Sequence, residues 1–364
     1  MTYFTTMNLP APEHSHFREK LAQYWGKPWH AMADFEDALK EFFDVPHVST
    51  WSNCFTAIAM SLIHATRWRE KNVAIAAMAY RRTADIVLWA GLTPVFVDND
   101  PDTLAMDLNA LRSLLEKQSI GCILFQHPMV HIADVQAVQT LAAEFDVPLI
   151  FDSVEATGGK YASKRIGRFG LAEAFSLHPS KVINAAEGGI LTFGSSAAYG
   201  SFMQSMNELG LIDSCHGHQR MALEPVHAIM GLASLEIYAQ VTTKHQSHYE
   251  QYEHELNQSK MLELIGYNSE NEPNYKSILV RFKSTYASHR QALMAYLETQ
   301  QIGARAYYAP LHHLAQYACA PHAHRMAQNY MILPIGHSVN EAAIEQICTH
   351  ILCYEQQHVE SSHA

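Results

Sequence analysis

The chain has 364 residues, of which 48% are apolar, and a formal net charge of −11 at neutral pH. This size corresponds to about two domains, and the negative charge argues against a nucleic-acid-binding protein, which needs a basic face. The six cysteines form no CxxC pair, a pattern typical of reduced thiols in the cytoplasm. The longest apolar zone, residues 73–97, is broken by charged residues, whereas a membrane span needs about 20 nearly uninterrupted apolar residues. With no signal-peptide pattern visible, we expect a cytoplasmic protein with neither nucleic acid nor membrane as a partner.

The predicted elements alternate between helix and strand along the first two thirds of the chain. A helix over 33–43 is predicted from an apolar stripe at helical spacing, formed by Phe35, Ala38, Leu39, Phe42 and Phe43. The other predicted elements here are helices near 56–66, 83–89, 108–115 and 135–145, and strands near 73–77, 94–97, 122–125 and 149–152. This alternation predicts an α/β fold with a mostly parallel central sheet covered by helices.

The last third of the chain predicts a smaller unit. A long helix over 225–256 leads into it, and two strands (277–282 and 305–308) and two helices (288–299 and 340–352) follow. We therefore expect a large domain over residues 1–240 and a small C-terminal α+β domain over residues 241–364.

The most informative stretch is 148–193. One apolar run ends in Asp152, a second ends in Ser176, and Lys181 follows five residues later. An acid at one strand end, with a serine and a lysine just past another, suits pyridoxal 5′-phosphate (PLP). That cofactor needs a partner for its protonated ring nitrogen, a holder for its phosphate and a lysine for a Schiff base. The residues therefore predict a PLP site.

The same stretch resembles the DegT/DnrJ family of PLP-dependent nucleotide-sugar aminotransferases. The positions that match the family motifs are Asp152, Glu155, Ala156 and Gly158, then Phe175, Ser176, His178, Ser180 and Lys181, then Glu187, Gly188 and Gly189. The resemblance covers nearly the whole chain and is closest to members that aminate C4 of a 4-keto-6-deoxyhexose. It implies the fold-type I aminotransferase architecture and a homodimer.

The resemblance also implies roles for the residues of this stretch. Lys181 would form the Schiff base and then move the proton as general base and acid. Asp152 would hold the proton on the ring nitrogen, because opposite charges favour each other's ionised forms. Glu155 stands where many family members carry Gln or His near the cofactor's phenolic oxygen. The alternatives are a solvated lysine, a turn-capping Asp and a solvated loop Glu.

The phosphate is expected at the first turn of a helix, where N–H groups lack partners. The residues that match this position are Asn53, Cys54, Phe55 and Thr56, and Ser176 is a second expected phosphate ligand. Cys54 and Phe55 depart from the usual small residue and Thr, so a hydroxyl donor there depends on Thr56. For Asn53 and Thr56 the alternative is plain helix capping. Tyr80 matches the aromatic residue that stacks on the cofactor, and the alternative is a core tyrosine.

Four further positions are expected on the substrate side, namely His178, His218, Tyr308 and His312. Arg220 falls in a loop that reaches the neighbouring subunit's phosphate in family members, so we expect it to act on the partner chain. Close histidine pairs occur, but none has the spacing of a metal site, and no metal is expected.

The resemblance implies an aminotransferase that converts a nucleotide-linked keto-6-deoxysugar to the amino sugar, with glutamate as the amino donor. Its products would enter O-antigen and other lipopolysaccharide, or glycosylated natural products. A sugar dehydratase of the same family is an alternative, although those members carry His in place of Lys181. A non-catalytic PLP-binding regulatory or partner-binding protein is another, because Cys54, Phe55, His218 and the Arg81–Arg82 pair are atypical.

Overall fold

The computed structural model describes residues 4–5, 14–212, 221–307 and 320–358. The strands, in chain order, are β1 (Phe4–Thr5), β2 (His47–Trp51), β3 (Asn72–Ala76), β4 (Thr93–Val97), β5 (Cys122–Gln126), β6 (Leu149–Asp152), β7 (Lys160–Tyr161), β8 (Lys164–Arg165), β9 (Ala172–Ser176), β10 (Gly189–Phe193), β11 (Leu262–Leu264), β12 (Ile278–Phe282), β13 (Ile302–Gly303), β14 (Arg305–Ala306) and β15 (Tyr330–Leu333). The α-helices are α1 (His14–Tyr24), α2 (Pro28–Phe43), α3 (Cys54–Ala65), α4 (Arg82–Trp89), α5 (Leu108–Lys117), α6 (Val135–Glu144), α7 (Ser196–Glu208), α8 (Pro225–Glu236), α9 (Tyr238–Leu256), α10 (Arg290–Thr299), α11 (Pro321–Asn329) and α12 (Glu341–His358).

The large sheet has the strand order β2-β10-β9-β6-β5-β3-β4. The five strands from β9 to β4 are parallel to one another, whereas β10 runs antiparallel between β9 and β2. Helices separate β3, β4, β5 and β6 along the chain, which is the connection that parallel strands require. The prediction of a mostly parallel sheet covered by helices is therefore confirmed.

Both faces of the large sheet are buried. Successive side chains of a strand point to opposite faces, so Phe125 and Phe151 pack on one side of the sheet while Leu124 and Ile150 pack on the other. Each of these four side chains is at most 1% exposed. Burial on both faces explains why the strands are continuous apolar runs without alternation.

Two predicted helices differ from the observed ones for local reasons. The helix predicted over 33–43 begins earlier, because Pro28 occupies its first turn, where a missing N–H costs nothing. The single helix predicted over 225–256 was wrong. Ile237 has a ψ of 4°, outside the helical range, and divides the segment into α8 and α9.

The small sheet is antiparallel, with the order β11-β12-β15-β14, and packs against α9, α10 and α12. The expected boundary between residues 240 and 241 falls near the start of α9 and stays a prediction. Within the described ranges, no helix is both long and apolar enough to cross a membrane.

Candidate active site

Asp152 and Ser176 lie at the same edge of the large sheet. They are the last residues of the neighbouring parallel strands β6 and β9, and the carboxyl ends of parallel strands are where open α/β sheets bind ligands. The Asp152 side chain is buried, and its Oδ1 accepts a hydrogen bond from the Val154 N–H at 3.3 Å. Burial raises the pKa of this carboxyl to about 6, while the Val154 N–H and the Lys181 charge oppose the rise.

A second buried carboxyl, that of Glu173, contacts the residue directly after Asp152. Glu173 of β9 is fully buried, accepts a hydrogen bond from the Ser153 hydroxyl, and accepts two more from the N–H groups of Gly167 and Phe169 at 2.8 and 2.7 Å. Burial raises the pKa of Glu173 to about 7. Sequence reasoning missed this residue, whose contacts fix the backbone directly after Asp152.

Lys181 follows β9 in a loop that is closed at its base. The Leu177 N–H donates to the carbonyl of Gly188 and the Ala185 N–H donates to the carbonyl of Leu177, both at 2.9 Å. Lys181 reaches from this loop to Glu155, and its Nζ donates to Oε1 of that side chain at 3.1 Å. The structure therefore brings together Lys181, Glu155 and Asp152, and their roles toward the cofactor stay predictions.

Lys276 is a site residue that sequence reasoning missed. Its Nζ lies 2.5 Å from Oε2 of Glu155, so one buried carboxylate bridges two lysines. In the sequence it is a lone lysine just before an apolar strand, a pattern that also describes many solvated lysines. No signal in the sequence separates those cases.

The two lysines decide the charge of Glu155. Burial alone would raise the pKa of this carboxyl, but the charges of Lys181 and Lys276, together with their hydrogen bonds, lower it to about 2. Burial lowers the pKa of Lys276 to about 8, with Glu155 opposing that change. Glu155 is therefore a carboxylate at neutral pH, not a solvated loop acid.

The start of α3 lies near Ser176, because β10 pairs with β9 on one side and with β2, the strand that leads into α3, on the other. Gly189 of β10 is the cross-strand partner of both Ser176 and Trp51, and α3 begins three residues after Trp51. A Cβ on Gly189 would come within 2.5 Å of the carbonyl of Asn53, so only glycine allows this approach. Asn53–Thr56 and Ser176 therefore lie close enough together to serve one phosphate site, as the resemblance implies.

The side chains at this helix start cap the helix. Asn53 Oδ1 accepts from the N–H of Thr56 at 2.8 Å and from its hydroxyl at 2.9 Å. The Thr56 hydroxyl hydrogen is thus directed at Asn53. What the first turn offers an anion is the N–H groups of Cys54 and Phe55, which have no intrahelical acceptor.

Cys54 also belongs to the electrostatic surroundings of the acid. Burial raises the pKa of its thiol well above the ordinary value, and the Asp152 carboxylate raises it further. The thiol is therefore uncharged at neutral pH.

Tyr80 and His178 border the site. Tyr80 is 47% exposed and so is not a core residue, and its N–H donates to Gln126 Oε1 at 3.3 Å. Gln126 is the strand partner of Asp152, which places Tyr80 near the acid. His178 is partly buried, and its Nδ1 accepts from the N–H of Ser180 at 3.2 Å. Burial lowers the pKa of His178, which favours the neutral ring.

Four expected site residues, namely Arg220, His218, Tyr308 and His312, lie outside the described residues. The Arg82 guanidinium is exposed and lies 3.4 Å from Asp85. In the part of the chain that the structure describes, no three metal-ligating side chains converge.

The described residues fit PLP. Asp152 is a buried acid suited to a ring nitrogen, and Lys181 offers an amine at the same edge of the sheet. The N-terminus of α3 and the Ser176 hydroxyl offer hydrogen-bond donors for a phosphate. These three features correspond to the three groups of the cofactor that a protein must hold.

Known proteins that are similar to this chain in sequence or structure also indicate a PLP enzyme. The sequence profile of the DegT/DnrJ/EryC1/StrS aminotransferase family matches residues 10–352. The chain is 24% identical over 332 residues to a GDP-perosamine synthase from Vibrio cholerae, which covers 88% of this chain and 89% of the relative. The structure of DesI with its TDP-sugar product superposes with a TM-score of 0.84 at 22% identity, over 100% of this chain and 97% of that one. A protein from Streptococcus pneumoniae described as a sugar aminotransferase, in its PLP-form, has a TM-score of 0.84 at 18% identity, over 98% and 99% of the two chains.

Proposed function

The chain belongs to the DegT/DnrJ/EryC1/StrS aminotransferase family, whose members use PLP, and from this premise we propose that it transfers an amino group from glutamate to the C4 ketone of a nucleotide-linked 4-keto-6-deoxysugar. The observation that carries the proposal is the hydrogen bond from Lys181 to the Glu155 carboxylate beside the buried Asp152. The GDP-perosamine synthase and the DesI complex support a nucleotide-sugar substrate.

The roles of the polar residues follow from their charges. When bound, PLP supplies an aldehyde that carries the amino group and a protonated ring that accepts electrons. Asp152, as a carboxylate, keeps the proton on the ring nitrogen because opposite charges stabilise each other. Lys181 takes and returns the proton at the substrate carbon through its Nζ, and Glu155 holds that Nζ in place.

Other residues bind and orient. The N–H groups at Cys54 and Phe55 and the Ser176 hydroxyl hold the phosphate, with Asn53 and Thr56 fixing the helix start. Tyr80 is the aromatic residue that would stack on the ring. His178, His218, Tyr308 and His312 contact the sugar nucleotide, and Arg220 of a second copy of the chain reaches the phosphate in a homodimer. We assign the enzyme to the cytoplasm and its product to surface polysaccharides such as lipopolysaccharide O-antigen, or to glycosylated natural products.

A panel of substrates tests the proposal. The PLP-loaded enzyme is incubated with glutamate and GDP-, TDP- or UDP-linked 4-keto-6-deoxysugars, and the sugar products are analysed by mass spectrometry. We expect the mass change of ketone to amine on at least one sugar, with one 2-oxoglutarate formed per amine. Loss of a sugar hydroxyl without amination would indicate the dehydratase. A PLP-bound protein that consumes no glutamate would indicate the non-catalytic alternative.

A further inference from the structure

Lys276 connects the small sheet to the active site. It lies in the segment between β11 and β12, is 8% exposed, and its Nζ contacts both Glu155 Oε2 at 2.5 Å and the Ser277 hydroxyl at 3.4 Å. The paired carboxylate belongs to the segment that follows β6 of the large sheet. An ion pair buried between these two parts of the chain is therefore built into the candidate site.

The backbone around Lys276 is held on both sides. The Asn274 side-chain amide donates to the carbonyls of Glu155 and Thr157 at 3.1 and 3.0 Å, and its Oδ1 accepts from the Lys276 N–H at 3.1 Å. Tyr275, between them, has a φ of 50°, a left-handed conformation that is costly for a non-glycine residue. This conformation lets Asn274 and Lys276 both contact the segment that carries Glu155.

A tyrosine hydroxyl fixes the next residue. The Tyr267 hydroxyl donates to the Ser277 carbonyl at 2.9 Å and accepts from the Ser277 N–H at 3.1 Å. Tyr267 in turn packs against Tyr249 and Tyr275. Lys276 is thus held in a defined position, unlike a surface lysine that could leave its partner at little cost.

The pairing of the Glu155 carboxylate with Lys181 is expected to change during the reaction. In the proposed function Lys181 is at times bonded to the cofactor and at times a free amine, so its pairing with Glu155 changes during the reaction. A buried carboxylate without a cationic partner is strongly unfavourable. Lys276 is the second cation, and its Nζ contacts Oε2 of Glu155, whereas Lys181 contacts Oε1.

We propose that Lys276 is a positioning residue of the reaction, which holds Glu155 as a carboxylate directed at Lys181 through every step of the amino transfer. This inference rests on the proposed function for the changing state of Lys181. The titratable and charged groups that face this pair are Lys181, Asp152, Tyr267, Tyr307, His245 and Arg305.

The test compares Lys276→Met, Lys276→Gln and Lys276→Arg with a matched control. The control is Lys160→Met. Lys160 also follows β6 in the chain and pairs with the segment between β11 and β12, where its Nζ lies 2.6 Å from the exposed Glu272. The readout is the pH midpoint at which the visible absorption of the bound cofactor changes. Removing a nearby cation favours protonated neighbours, so Met and Gln should raise this midpoint by about one pH unit or more. Arg and the Lys160→Met control should leave it near wild type.

Two further measurements complete the experiment. The kcat of Lys276→Met should fall at least tenfold, with the KM for the sugar nucleotide nearly unchanged. In Glu155→Gln/Lys276→Met, both charges are gone, and the midpoint should return toward wild type. Should Lys276→Met fail to fold, Lys276→Gln replaces the cation with a neutral hydrogen-bond donor and carries the same expectation.

An unchanged midpoint in folded Lys276→Met or Lys276→Gln would overturn the inference, even if the wild-type enzyme aminates a sugar. The opposite outcome is a shifted midpoint in the Lys276 variants together with a wild-type enzyme that aminates no keto-sugar. That outcome would contradict the proposed function but would still support the electrostatic role of Lys276.

Discussion

Lys181 donates a hydrogen bond to Glu155 at 3.1 Å, although 26 residues separate the two in the chain. The bond links the loop after β9 to the short segment after β6, so the amine and the acid of the candidate site are held by neighbouring strands. The buried carboxylate is shared with Lys276.

The Glu155–Lys276 pair should behave as a buried ion pair. Glu155→Gln leaves a buried cation with one fewer anionic partner, and breaking such a pair costs about 3–5 kcal/mol. The double variant Glu155→Gln/Lys276→Met should be less destabilised than the sum of the single variants. Denaturant unfolding of the cofactor-free proteins measures this double-mutant cycle.

The control for this cycle is the exposed pair of Lys160 and Glu272. Its coupling free energy should be below about 1 kcal/mol, as for other exposed ion pairs. Additive effects of Glu155→Gln and Lys276→Met, with no coupling beyond that of the exposed pair, would contradict the account of a buried pair.

The raised pKa of Asp152 predicts how the stability of the cofactor-free protein depends on pH. Its folded-state pKa is about 6, above the ordinary value of 3.8. A raised pKa means that its contribution to stability is present below about pH 4 and is lost as pH rises through 6. Asp152→Asn lacks this loss, so its stability relative to wild type should increase by up to about 3 kcal/mol between pH 4 and 7.

The same variant should lose activity. Without the carboxylate the ring nitrogen loses the charge that holds its proton, so turnover should fall by orders of magnitude and PLP should bind more weakly. Unfolding curves at several pH values and steady-state rates measure the two effects. Near-normal turnover, or a stability difference that is constant with pH, would contradict the assignment of Asp152.

The sheet and the acid–lysine part of the site were predictable, and particular contacts explain why. Asp152 and Ser176 end apolar runs that read as parallel strands, and parallel strands bring their carboxyl ends to one edge. Family resemblance placed Lys181 and Glu155 nearby. Lys276 was not predictable, because its contact with Glu155 joins residues 121 positions apart and depends on the left-handed Tyr275. The break at Ile237 has no glycine or proline to indicate it.

Asn53 and Thr56 should differ in their effects on phosphate binding. Asn53→Ala removes the cap of α3, which should cost about 1 kcal/mol of stability and weaken PLP binding by loosening the first turn. Thr56→Val removes a hydroxyl that is bonded to Asn53, so PLP affinity should change less than for Asn53→Ala. Fluorescence titration of the cofactor-free variants with PLP measures both. A larger loss in Thr56→Val would mean that its hydroxyl contacts the phosphate.

Arg220 lies outside the described residues, and its expected role in a shared site is tested by mixing. Lys181→Ala and Arg220→Ala should each be strongly impaired, and neither should unfold the protein. In a mixed dimer one site has its own Lys181 and Arg220 of the partner subunit, so some activity should return. Light scattering and a tagged-subunit exchange assay provide the controls. A monomer, or no recovery despite complete exchange, would remove the shared site.

The path of the amino nitrogen from glutamate to the sugar can be followed with an isotope label. The PLP-loaded enzyme is incubated with glutamate carrying a heavy nitrogen isotope, freed of excess donor, and then given a nucleotide-linked 4-keto-6-deoxysugar. Mass spectrometry of the sugar should show the heavy nitrogen at C4 in the wild type. Lys181→Ala should give neither label transfer nor a borohydride-trapped cofactor on any peptide, including the one that contains Lys276. Label transfer in Lys181→Ala, or none in a PLP-loaded wild type across GDP-, TDP- and UDP-linked sugars, would contradict the account.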